Sequence, residues 1–142
     1  MVRENTDLLD SLLDAYVEEL EIVKCSFELM GKLLDKSRLK KRIEYLNIKK
    51  LYIYGGGYLG VQFYFACNDL IDVLAVVDKR VCLRLDINDI PVMGFEQLQK
   101  IYKEETIVVA SVKYYQEIRN ELLSFVPDNK IYFLGEFMEG IL

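Results

Sequence analysis

Leu51-Tyr52-Ile53-Tyr54-Gly55-Gly56-Gly57-Tyr58-Leu59-Gly60 is the stretch whose reading decides the fold. Four apolar residues make a short buried strand, the glycines end it in a loop, and the residues beyond resume as a helix. Gly55, Gly57 and Gly60 fit the spacing G-x-G-x-x-G, and Asp78 closes the next apolar run 18 residues later. Each glycine has a physical task at that spacing: a tight turn, close approach of a ligand to the main chain, and close packing of helix on strand. The N–H groups at the head of such a helix carry partial positive charge, which favours phosphate.

Downstream of the loop, strand and helix signals alternate. Val61 to about Asn68 reads as the helix after the first strand. Val73-Leu74-Ala75-Val76-Val77, ending at Asp78, is a continuous apolar run, the mark of a strand buried on both faces. Residues 79–89 read as a polar loop, and Ile90-Pro91-Val92-Met93-Gly94 as a short strand whose proline suits a sheet edge. Phe95 to about Tyr102 gives a helix, Thr106–Ala110 a buried strand, Tyr114–Phe125 a helix, and Lys130–Leu134 a last strand before a final helical turn. Strands separated by helices pair in parallel through right-handed crossovers. The expected fold is α/β: a doubly wound, mostly parallel five-stranded sheet in order 3-2-1-4-5, occupying residues 49–142.

Residues 1–48 are expected to form a helical extension. From Asp7 to about Leu34 the residues Leu9, Leu13, Tyr16, Leu20, Val23, Phe27, Met30 and Leu34 recur at alternating steps of four and three, a heptad seam. Leu8, Leu12, Val17 and Ile22 widen the stripe. Such a helix is roughly 40 Å long at 1.5 Å per residue, longer than a small sheet domain needs, so the spacing favours a homodimer or a partner-docking helix over one packed on its own domain. Thr6 or Asp7 suits its first cap, and Gly31 an interruption or bend. Ser37 suits the cap of a shorter helix through Leu46, with Leu39, Ile43 and Leu46 on one face. The basic residues of that second helix (Lys36, Arg38, Lys40, Lys41, Arg42) either attract the acidic first helix or form a solvated face.

The 142 residues, 52% of them hydrophobic, suffice for one core without staples. A net charge of −5 has the wrong sign for a general nucleic-acid binder, which needs a basic face. Charge is segregated: residues 1–30 carry eight acidic and two basic side chains, residues 31–50 the reverse. Cys25, Cys67 and Cys82 are dispersed, as expected of reduced thiols and not of a disulfide framework. The acidic start is unlike a signal peptide and no run approaches 18 apolar residues, so no membrane span and a cytoplasmic location are expected. The chain has no histidine, the commonest metal ligand and general base. No metal is expected.

Ile53–Gly60, then Val76-Val77-Asp78, then Ile90–Gly94 leading into Phe95-Glu96-Gln97-Leu98, then Val108-Val109-Ala110-Ser111 together resemble a group of small Rossmann-like domains. These are related to nucleoside-diphosphate-sugar epimerases and CoA-binding domains, and are often fused to bacterial enzymes of surface-polysaccharide assembly. The resemblance covers about residues 49–140. It implies a nucleotide ligand held at Gly55, Gly57 and Gly60: NAD, with CoA or a nucleotide-sugar as alternatives. Gly56 stands where that family usually has alanine or serine, which loosens the loop.

Asp78 stands where a carboxylate accepts both hydroxyls of a ribose and repels a 2′-phosphate, favouring NAD over NADP. Lys79 and Arg80 suit a terminal phosphate such as that of CoA. Tyr58 and Leu59, inside the loop, and Ser111, just past the fourth strand, complete the cofactor-binding candidates. Tyr45 and Lys49 match by spacing the Tyr-x-x-x-Lys pair of short-chain dehydrogenases, but they precede the first strand, far from where a nicotinamide would sit. No catalytic residue is assigned. The expected activity is binding, and epimerase- or dehydrogenase-like chemistry would need acid–base groups from a partner.

Overall fold

The computed structural model describes residues 2–87 and 89–139, with side chains from residue 6 onward. The expected limits 1–48 and 49–142 thus include Met1, Asn88 and residues 140–142, which lie outside the described residues. Strand β1 (Lys50–Tyr54) is central. It pairs in parallel with β2 (Asp72–Val77) on one side and β5 (Thr106–Val109) on the other. Beyond them lie β4 (Ile90–Met93), parallel to β2, and β6 (Ile131–Phe133), parallel to β5.

The sheet differs from expectation in one respect. It has six strands, in order β3-β4-β2-β1-β5-β6, because Leu85–Ile87, read as loop, forms β3 and pairs antiparallel with β4. Asp89, left-handed at φ 68°, turns the chain between them. Pro91 therefore does not mark a sheet edge. It sits opposite Asp86 of β3, and the β2–β4 ladder begins only at Val92, so its missing N–H costs that ladder nothing.

Alternation along β1 builds two half-cores. Leu51 and Ile53 face one layer, made by α3 (Tyr58–Cys67), α6 (Leu134–Met138), α2 (Lys36–Leu46) and the end of α1 (Val2–Leu33). Tyr52 and Tyr54 face the other, with α4 (Phe95–Ile101) and α5 (Tyr115–Leu122). Phe63 and Phe137, both fully buried, meet edge to face at 5.6 Å in the first layer. Helices on both faces satisfy the demand of apolar parallel strands.

The extension departs from expectation at its caps and at Gly31. α1 already includes Thr6 and Asp7, so neither caps it, and it runs through Gly31 to Leu33 without a break. A glycine there costs about 1 kcal/mol of helix propensity, offset by burial of Leu29 and Leu33 on either side. Asp35, not Ser37, caps α2: its carboxylate accepts from the Arg38 N–H at 3.2 Å. Asn47 closes that helix in the left-handed conformation. Leu39 and Ile43 turn inward as expected. Among the described residues the basic side chains of α2 find other partners than the acidic first helix. Lys36 pairs with Asp69, Arg38 with Asp35, and Arg42 donates to the carbonyls of Phe137 and Glu136 at the end of α6.

Candidate functional site

The candidate site forms where β1 and β2 end side by side. The sheet hydrogen bonding carries on one residue past each strand: Gly55 N–H donates to Val77 O, Ala110 N–H to Tyr54 O, and Asp78 N–H to Met93 O. The loop, Asp78 and the start of the β5–α5 connection are thereby fixed at the carboxyl edge of the parallel strands. Strand order reverses beside the loop, between β1 and β5, which is where open α/β sheets bind ligands.

Three of the four loop glycines have an internal reason to be glycine. Gly55 has φ 126°, and a Cβ there would press on Ala110 O at 3.0 Å. A Cβ at Gly60 would stand 1.7 Å from Gly55 O, so the first turn of α3 could not sit on the loop. At Gly56 a Cβ would meet an Asp78 carboxylate oxygen at 2.6 Å, so this glycine admits Asp78 against the loop and does more than loosen it. Gly57 is different. A Cβ there meets nothing among the described residues within 4 Å. Gly57 is also the N-cap of α3, where no side chain caps the helix among the described residues. The N–H groups of its first turn lack intrahelical acceptors by geometry.

Asp78 is already engaged. Its carboxylate accepts from Gly56 N–H at 3.1 Å, from Arg80 N–H at 2.9 Å, and from the Arg80 guanidinium at 3.0 and 2.7 Å. These bonds, Arg80 first, hold its carboxyl below the usual carboxylate range against the opposing effect of burial. The Asp78 side chain is 14% exposed and that of Arg80 78%, so the guanidinium covers the carboxylate from the solvent side.

Two cavities of about 500 Å³ each share Gly56, Asp78 and Arg80. One opens toward the β5–α5 connection and is bounded by Tyr54, Gly57, Lys79, Ser111 and Tyr114. The other is more apolar, with Val61, Phe65, Val76 and Ile90 among its walls. A larger hollow of about 850 Å³ lies around Leu46–Lys50 and Lys103–Thr106, at the amino ends of β1 and β5 and away from the glycine loop. The location of the loop, not cavity size, identifies the site.

Of the candidates from the sequence, Gly55, Gly57, Asp78, Lys79 and Ser111 come together around the first cavity. Gly60 underpins the loop without reaching that wall. Leu59 is buried in the core beneath it, and Tyr58 stands 90% exposed, lining neither cavity. Lys79 pairs with Glu121 of α5, and the Ser111 hydroxyl accepts from Tyr114 N–H at 3.2 Å. The spacing did not reveal Tyr54. Its ring is buried on β1, the residue lines the first cavity, and its buried hydroxyl finds no hydrogen-bond partner among the described residues. Burial first, then the nearby carboxylates of Glu121 and Asp78, push its pKa well up.

Among the described residues no group of three or more acidic or cysteine side chains is placed to hold a metal ion, and no helix is long and apolar enough to cross a membrane. Neither a protein-family model nor a curated protein matches this chain.

Proposed function

We propose that this domain binds a nucleotide-type ligand, with phosphate at the head of α3, ribose at the end of β2, and the remainder of the ligand in the cavity beneath Tyr54. Gly57 carries the reading. It is the one loop glycine whose missing side chain opens on free space, where uncapped N–H groups and the helix dipole favour an anion. The apolar cavity on the far side of Asp78 has the size and lining for a base. Resemblance to the domains fused to surface-polysaccharide enzymes puts a nucleotide-sugar beside NAD and CoA among the ligands.

Binding without turnover is part of the proposal. A general acid or base works best with a pKa near the operating pH. Here Asp78 is pushed down and Tyr54 up, both away from neutrality. In this reading the domain presents its ligand to chemistry supplied elsewhere.

Thermal-shift measurements with NAD, NADP, CoA, nucleotide-sugars and S-adenosylmethionine test the proposal. A ligand at 100 times its dissociation constant adds about 2.7 kcal/mol of stability, and no stabilisation by any of them at millimolar concentration refutes it. Arg80→Ala sorts the ligands. A ribose diol must displace the guanidinium from Asp78, so the variant binds NAD more tightly. A ligand whose extra phosphate pairs with Arg80 binds the variant more weakly.

A further inference from the structure

Helix α1 has two apolar faces, and among the described residues only one packs against the domain. Ile22, Cys25, Ser26, Leu29 and Leu33 lie on the side that packs toward α3 and α6 and are buried or half-buried. The heptad seam points elsewhere, about 120° round the helix at 100° per residue. Leu9, Leu13, Tyr16, Leu20, Val23, Phe27 and Leu34 remain between 46% and 76% exposed, including those beside the packed segment. At roughly 40 Å long and about 10 Å wide, the spacing of packed helices, the stripe approaches or exceeds the few hundred Å² that a monomer normally leaves open.

We infer that this seam is the interface for a second copy of the same chain, joined as a parallel, in-register two-helix coiled coil. The inference is independent of any ligand in the crevice. Period and charge both identify the occupant. A seam that repeats every 3.5 residues over seven side chains is met along its length by a helix with the same period. Taking Leu13, Leu20, Phe27 and Leu34 as the a positions and Leu9, Tyr16 and Val23 as d (Met30, the next d position, is half-buried against its own core), the flanking g positions hold Leu12 and Glu19, and the e positions Val17 and Lys24. In a parallel pair each g residue faces the e residue five further along the partner. That places Leu12 against Val17 and Glu19 against Lys24, so both pairs are compatible and the ion pair occurs twice. The antiparallel overlap instead sets Lys24 against Val17 and Glu19 against Ser26, leaving both charges unmatched. The Glu19 carboxylate also meets Lys113 of its own chain at 2.9 Å. The acidic surface of the helix, with eight carboxylates in the first 30 residues, opposes docking on an anionic membrane.

Multi-angle light scattering and analytical ultracentrifugation of the full chain test the interface. The expected species is a dimer at micromolar concentration, and Leu20→Glu is expected to convert it to monomer while the thermal unfolding of the sheet domain is retained. Glu19→Lys and Lys24→Glu each replace attraction by repulsion at two places and are expected to weaken the dimer about five- to tenfold. The double variant Glu19→Lys/Lys24→Glu restores it. A monomeric full chain, a dimer indifferent to Leu20→Glu, or a monomer that instead binds anionic vesicles overturns the interface. A double variant as weak as the single ones overturns the parallel register.

Discussion

Strand β1 and helix α1 are both rich in large apolar residues, and their fates are opposite. All four apolar side chains of β1 are at most 4% exposed, whereas Leu9 and Leu13 of α1 are 66% and 59% exposed. Composition does not separate them. Neighbours do: β1 has a strand on each edge and a helical layer on each face. Among the described residues α1 packs its apolar side chains on its own domain along the last third and on one side, with one ion pair, Glu19 to Lys113, nearer its middle. Hydrophobicity thus determines that a surface seeks cover. Chain topology determines whether the same molecule supplies it.

Truncation at matched positions gives the largest test of that contrast. Phe63→Ala, removing a fully buried ring packed against Phe137, is expected to cost about 3–5 kcal/mol in urea unfolding. Leu9→Ala, measured in dilute protein where chains are separate, is expected to change domain stability by less than about 0.5 kcal/mol. Equal costs would mean that α1 is covered within its own chain.

The glycine loop permits a second contrast, between scaffold and site. Gly60→Ala forces a methyl group onto Gly55 O and is expected to destabilise by about 3 kcal/mol. Gly57→Ala meets open space and is expected to leave stability within about 0.5 kcal/mol while weakening whatever ligand the thermal-shift panel identifies. A Gly57→Ala protein that unfolds easily would show that this glycine too serves the fold.

Asp78 gives a smaller effect than Phe63 or Gly60 and ties the two roles together. Its folded pKa is depressed, so its stabilising contribution is present above the unfolded carboxylate pKa of about 4 and is lost as pH falls through the folded value. Asp78→Asn retains much of the shape and is expected to cost about 1–2 kcal/mol at neutral pH. Comparison of urea midpoints for the two proteins should show the gap closing below about pH 4. A gap that persists into acid would assign the effect to packing.

The sheet was legible because its strands are continuous apolar runs separated by helical patterns, a combination with few alternatives. β3 was not, since three exposed residues between turns carry no burial signal. Ser37 reads as the cap of α2, but Asp35, an equally good cap residue two positions earlier, takes that role, and only its bond from Arg38 N–H shows it. In the site, Gly55, Gly57, Gly60 and Asp78 were visible from spacing. The cover of Arg80 over Asp78 depends on a side-chain rotamer, and the Tyr54 hydroxyl, without a partner among the described residues, on the packing of the finished fold. Neither leaves a periodicity to read.

The proposed binding site is tested most directly by titrating isotopically labelled protein with NAD, CoA and a nucleotide-sugar while following backbone amide resonances. The expected result is saturable shifts with one of them, largest at Gly55–Gly60, Asp78–Arg80 and Ser111. Absence of shifts with all three at millimolar concentration, or shifts centred on the Leu46–Lys50 hollow, would contradict a nucleotide site at the glycine loop.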